Sequence, residues 1–141
     1  MTKRCLRFFL ATLLLAMPMA SYADLEVSNS WIKNLPPAMP MRAGYLSLYN
    51  PNDSTVTLVG ATSERFGKIE LHQSVAKDGV MSMEHVHHLM IKPGKTVKLE
   101  PGGYHLMLMK PKEPTEPGET IQVKLKFADG SEQEVDMQVR K

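Results

Sequence analysis

From residue 121 onward, apolar and polar residues alternate one by one. Ile121, Val123, Leu125 and Phe127 face one way and Gln122, Lys124 and Lys126 the other; after Asp129-Gly130 the alternation resumes at Val135, Met137 and Val139. A period of two belongs to strands with one buried face, and Asp-Gly between two such runs is a hairpin turn. Similar strand signals recur upstream at Leu25 to Ile32, Gly44 to Tyr49, Thr55 to Gly60, Lys68 to His72, Val80 to Ile91, Thr96 to Leu99 and Tyr104 to Met109. Pro, Gly, Asn and Asp separate them, as in Asn34 to Pro40, Asn50 to Ser54 and Lys110 to Gly118. The last holds three prolines, which cannot donate to a central ladder, so it is expected to be a rigid surface connection. No helical period with caps occurs, so the pattern predicts an all-β antiparallel sandwich or barrel. Trp31, Tyr45 and Tyr49 are read as core or half-buried strand aromatics.

The first residues read differently. Lys3, Arg4 and Arg7 form a positive n-region, Leu6 to Met17 is an almost unbroken apolar run, and Ser21-Tyr22-Ala23 offers a small-x-small cleavage pattern. This is the order of a secretory signal peptide, with an apolar part too short to span a bilayer permanently. Taking Met1 to Ala23 off the 141 residues leaves 118, from 24 to 141, which suits one domain and is too few for two. The leader holds three of the seventeen basic residues and none of the fifteen acidic ones, so the remainder carries fourteen against fifteen. With a near-neutral balance, nothing points to nucleic acid or to an anionic membrane surface. The one cysteine, Cys5, precedes the apolar run, so it is not placed to accept a lipid, and the expected mature chain has no thiol. Export to a periplasmic, oxidising compartment is expected, where the domain must hold together without disulfides. It is expected to be a monomer with no stable membrane insertion after cleavage.

All five histidines and five of the eleven methionines fall between His72 and Met109. Imidazole and thioether are neutral, and thioether is soft, a donor set that suits Cu(I). On a strand, His105, Met107 and Met109 share one side while Leu106 and Leu108 take the other, so the leucines go to the core and the His and Met row faces outward or into an edge pocket. The same parity groups Met81, Met83, His85 and His87 opposite Ser82, Glu84, Val86 and His88. If Asp78-Gly79 is a two-residue turn, Lys77 pairs with Val80, His72 lies across from His85, and Met83 is diagonal to His72, within reach of a shared metal. A three-residue loop would shift this register by one and take His85 off the face, so the hairpin leaves open whether His85 competes for the metal. A single His or Met on a strand is more often packing or solvated surface. The joint occurrence of histidines, methionines, core leucines and missing cysteine favours metal. Met39 and Met41, in the proline-rich loop with no histidine beside them in sequence, are read as packing ahead of a secondary thioether contact.

The spacing His72, ten residues, Met83, twenty-one residues, His105-Leu106-Met107 resembles the H-x10-M-x21-H-x-M signature of PCuAC-type periplasmic copper chaperones. The similarity extends to Trp31-Ile-Lys, Ala43 to Asn50, Lys92-Pro-Gly94, Leu99 to Met109 and Val123 to Phe127, covering almost the whole expected mature chain. The resemblance implies a cupredoxin-like Greek-key β-sandwich. It also implies Cu(I) held by His72, Met83, His105 and Met107, and delivery to respiratory copper sites such as the CuA centre of cytochrome c oxidase, alongside Sco-type thiol proteins. The chain departs from the usual pattern at His85, His87 and His88, which raises a secondary site, including one for Cu(II), that could also draw on Met81 and Met109.

Two rival classes are weaker. Catalytic zinc sites favour His and carboxylate with an open position, no Ser/His/Asp or paired-carboxylate arrangement stands out, and blue-copper carriers need a Cys thiolate; the chain is therefore not expected to be an enzyme. An exported copper-tolerance protein with a Cu(II) site is the nearer alternative, and a non-metal adhesion or assembly module leaves the His and Met clustering unexplained.

Overall fold

The computed structural model describes residues 24–141; the leader expected over Met1 to Ala23 lies outside the described residues. Ten strands follow in order: β1 (Glu26–Lys33), β2 (Met41–Tyr49), β3 (Val56–Thr62), β4 (Phe66–Lys77), β5 (Val80–His85), β6 (Leu89–Ile91), β7 (Thr96–Leu99), β8 (Tyr104–Pro111), β9 (Thr120–Phe127) and β10 (Glu132–Arg140). Among the described residues no helix is long and apolar enough to cross a membrane. The hydrogen-bonded path from β4 through β8, β2, β1, β10, β9 and β3 returns to β4. The seams are a parallel pairing of β1 with β10 (Trp31 beside Gln138) and a short antiparallel meeting of β3 with β4 (Ala61 beside Ile69). Most neighbours are not consecutive in sequence, as Greek-key connections require.

Closure works because the strands of this closed path turn a row of apolar residues inward. Ile121, Val123, Leu125 and Phe127 are buried, as are Val135, Met137 and Val139 across the hairpin. They meet Leu46, Leu48, Leu58, Leu71, Leu106 and Leu108, all essentially inaccessible; burying each such side chain is worth about 1.5–3 kcal/mol before entropy is counted. Gly44 of β2 sits where this packing is tightest: a Cβ there would stand 3.0 Å from Leu108 Cδ1 and 3.3 Å from Met137 Cε.

Polar ties secure the loops. Asn50 Nδ2 donates to the carbonyls of Ser54 and Ile91, both at 2.8 Å, and its Oδ1 accepts from the Asn52 amide at 2.9 Å. Arg42 is buried, donating through Nε to Thr115 Oγ1 at 2.7 Å and through Nη1 to the carbonyls of Met39 and Met41 at 2.9 and 2.8 Å. It thereby pins both the proline-rich loop before β2 and the connection before β9, whose Thr115 is buried.

One expected strand is two. The apolar content from Val80 to Ile91 reads as continuous, but β5 ends at His85 and β6 begins at Leu89. β5 pairs with β4, whereas β6 pairs with β3 on the other side of the seam (Leu58 beside Leu89). At the break, Val86 packs against the core and its amide donates to the Leu71 carbonyl at 2.8 Å. His87 and His88 are therefore off the strand, and the parity that grouped His87 with Met83 and His85 stops at His85.

Candidate metal centre

The Asp78-Gly79 turn decides the register. Asp78 (φ 51°) and Gly79 (φ 77°) are both left-handed, the backbone of a type I′ hairpin turn. Lys77 then faces Val80, Ser74 faces Met83 and His72 faces His85. On the other edge of β4, His72 faces His105 and Glu70 faces Met107, while β2 sets Ala43 across from Met107 and Met41 across from Met109. Facing residues of paired strands share a side, so His and Met from four adjacent strands gather on the side opposite the core leucines.

Met83, His105 and Met107 line one pocket of about 210 Å³, together with Met41, Ala43 and Tyr45. Ala43 is small where it faces Met107, and Leu35 from the proline-rich loop contributes to the wall. His72 stands beside the pocket, its ring centre 5.8 Å from that of His105. Met83 is 59% exposed while His105 is 5% exposed, so the donors run from solvent to interior within one cluster. Among the described residues no three His, Cys, Asp or Glu side chains converge as a metal-binding group; a four-donor site here needs the thioethers. A larger cleft of about 700 Å³, lined by Arg65, Lys112, Glu113 and Glu134, holds neither His nor Met.

Hydrogen bonds fix which imidazole nitrogens are free. His72 Nε2 lies 2.8 Å from Glu70 Oε2; an ionised carboxylate only accepts, so Nε2 carries the proton and Nδ1 of the neutral ring is a bare lone pair. His105 Nδ1 lies 3.4 Å from the Gly103 carbonyl, which leaves Nε2 bare by the same reasoning. Both bare atoms, His72 Nδ1 and His105 Nε2, are buried and have no hydrogen-bond partner. Buried polar atoms are normally paired, and a metal-ligating His normally gives its other ring nitrogen to a carboxylate or backbone carbonyl. Two such imidazoles facing each other across β4 and β8 fit a soft metal ion.

Burial favours the neutral, ligating form of His105. Hydrogen bonds from Lys68 and His72 hold the Glu70 carboxyl down at about 2, with further help from the charges of Lys68 and His85. Burial holds His105 below the usual 6.5; the Gly103 carbonyl opposes that shift, and the charge of His72 adds to it. Burial also pushes the Tyr45 hydroxyl up.

The other predicted donors lie outside the pocket wall. Met109 is on the same face as Met107 but outside the pocket wall, and Met81, across from Ala76, is 61% exposed. His85 is exposed, with its ring centre 5.6 Å from that of His72. His87 is exposed and its ring lies 4.2 Å from that of His85, while His88 is exposed outside these ring contacts. Met41, read from sequence as packing ahead of a secondary thioether contact, joins the pocket wall through the β2 and β8 pairing, and one further residue escapes the sequence reading. Glu70 orients His72 from two residues earlier on the same strand face, a relation that strand parity contains.

The architecture is that of PCuAC domains, cupredoxin-like β-sandwiches. The copper-bound PCuAC domain from PmoF2 superposes with a TM-score of 0.69 at 19% identity, over 82% of this chain and 92% of that one. The solution structure of Cu(I)-bound DR1885 from Deinococcus radiodurans gives 0.64 at 33% identity, over 79% and 75%. By sequence, the chain is 37% identical over 116 residues to "Putative lipoprotein Lxx21020" of Leifsonia xyli subsp. xyli (strain CTCB07), covering 82% of this chain and 69% of that one. It is 32% identical over 98 residues to protein RP573 of Rickettsia prowazekii (strain Madrid E), covering 69% of this chain and about half, 54%, of that protein. Residues 25–139 match the family described as "Putative lipoprotein LpqE-like", and the chain belongs to this PCuAC-type family.

Proposed function

We propose that the protein is an exported copper chaperone that holds one Cu(I) ion as cargo through His72 Nδ1, His105 Nε2 and the thioethers of Met83 and Met107. The observation that carries this reading is the pair of buried, unpartnered imidazole nitrogens on facing strands beside a thioether-lined pocket. Four neutral donors leave the complex with a single positive charge, and soft thioethers favour Cu(I) over harder divalent ions. The Cu(I)-bound state of a relative at 33% identity supports the choice of ion.

Exposure of Met83 suits delivery. An incoming acceptor ligand can displace that thioether first and take the ion stepwise, with no catalytic base, so an enzymatic role is not required. The acceptor would be a copper-enzyme assembly partner in the periplasm, such as the CuA subunit of cytochrome c oxidase or a Sco-type thiol protein. The lipoprotein description of the family and the secretory order of Met1 to Ala23 support export.

The test is an anaerobic Cu(I) titration of the purified protein, of Met83→Ala and of His105→Ala, against a chromophoric Cu(I) chelator. One equivalent should bind, and each substitution should weaken it; undiminished binding in both variants would sink the four-ligand assignment.

A further inference from the structure

The Val86 break makes a second arrangement of imidazoles that the Cu(I) set does not use. An unbroken strand would hold His85 and His87 side by side on one face, about two residue rises or 6.6 Å apart along it. Here β5 ends at His85, and Val86 packs onto the core with its amide donating to the Leu71 carbonyl. The two rings on either side of Val86 stand 4.2 Å apart, tilted by 45°. Both are exposed, and the anchored Val86 between them limits how far either can wander.

The surroundings differ from those of the inner set. The inner imidazoles are shielded and next to thioethers, whereas the outer pair is open to water, and its nearest ring neighbour is a third imidazole, His72, 5.6 Å from His85. Glu84, between Met83 and His85 in sequence, is paired with Lys77 at 3.7 Å. Two imidazoles with water completing the shell are nitrogen and oxygen donors, and among divalent first-row ions such sites hold Cu(II) most tightly.

We propose that His85 and His87 form a second metal site, distinct from the His72, Met83, His105 and Met107 set, that takes Cu(II) through two imidazoles and water. It stands on the ring geometry at the β5 break, independently of whether the thioether set binds Cu(I). The exposed hairpin would collect oxidised copper while the pocket holds the reduced ion, so one small domain would carry both states.

The experiment uses copper(II) sulfate in air with the purified protein, read by electron paramagnetic resonance, alongside the anaerobic Cu(I) competition. Two double variants are compared, His85→Gln with His87→Gln and Met83→Leu with Met107→Leu, each checked for an unchanged unfolding midpoint. The wild type should give a tetragonal Cu(II) signal with pulsed-resonance couplings to two imidazoles. The histidine pair variant should bind Cu(II) about a hundredfold more weakly, at or beyond the range lost with mere outer partners of ligands, and keep its Cu(I) affinity. The methionine pair variant should keep Cu(II) and lose Cu(I). Unchanged Cu(II) binding in the histidine variant, loss of Cu(II) in the methionine variant, or coupling to a single imidazole would each overturn the proposal. Retained Cu(I) binding in the methionine variant would instead count against the thioether set.

Discussion

Glu70→Ala is the sharpest probe of how the site is held. In the folded protein the Glu70 carboxylate accepts from His72 Nε2 at 2.8 Å while Lys68 pairs with its other oxygen. The His72 side chain is 13% exposed, so a freed N–H there has little access to water, and the ring loses the contact that fixes its orientation and tautomer. Removing such a partner from a metal-ligating histidine costs about 10–100-fold in affinity, equivalent to about 1.4–2.7 kcal/mol. Glu70→Gln keeps an acceptor oxygen but loses the charge, so its loss should stay within about tenfold. Competition with a chromophoric chelator under anaerobic conditions measures both. Because the carboxyl is held down at about 2, the defect of the alanine variant should be the same at pH 6 and pH 8 once histidine protonation is allowed for. If Glu70→Ala binds Cu(I) within about threefold of wild type while His105→Ala is strongly weakened, the tautomer argument is wrong.

Other outcomes follow from the same structure. Burial depresses the His105 pKa, so the unfolded chain takes up a proton near 6.5 that the folded apo protein resists; stability should fall as pH drops below about 6.5 and level off below the folded pKa. Thermal melts of apo wild type and His105→Gln across pH 5–8 should show the slope reduced in the variant. Glu70 acts at lower pH: its contribution is complete above its usual 4.5 and should be lost as pH falls towards about 2, visible as a flatter acid limb in Glu70→Ala. Gly44→Ala drives a methyl into Leu108 and Met137 and should cost about 1–3 kcal/mol in urea unfolding, whereas Leu125→Ala, in the same core, should cost about 2–5 kcal/mol by leaving a cavity. Gly79→Val puts a β-branched residue at φ 77°; loosening of the β4 and β5 pairing should weaken Cu(I) binding through Met83, with a change in global stability of no more than about 1–2 kcal/mol.

Much of this molecule is legible locally. Side-chain parity in β8 separates Leu106 and Leu108 from His105, Met107 and Met109 without any knowledge of the fold, because alternation is a property of the strand itself. Asp78-Gly79 specifies a type I′ turn, and with it the facing of His72 and His85, because few residue pairs accept two positive φ values. The hairpin of β9 and β10 is equally plain, its apolar residues buried as the alternation demands.

Whatever depends on which distant strands become neighbours is absent from local pattern. The run from Val80 to Ile91 looks like one strand because nothing in it announces that Leu89 will pair with β3 while Met83 pairs with β4. His87 therefore lies beyond the end of β5, with its ring 4.2 Å from that of His85. Met41 lacks a histidine beside it in sequence, yet β2 pairs with β8 and sets it on the pocket wall. The sequence alone determined an all-β chain with a His and Met face set apart from a leucine core, since strand alternation and turn chemistry are short-range. Only the tertiary structure decided which imidazole nitrogens are bare, that Glu70 and Gly103 make them so, and which thioethers stand beside them, because these depend on register across strands and on the exclusion of water.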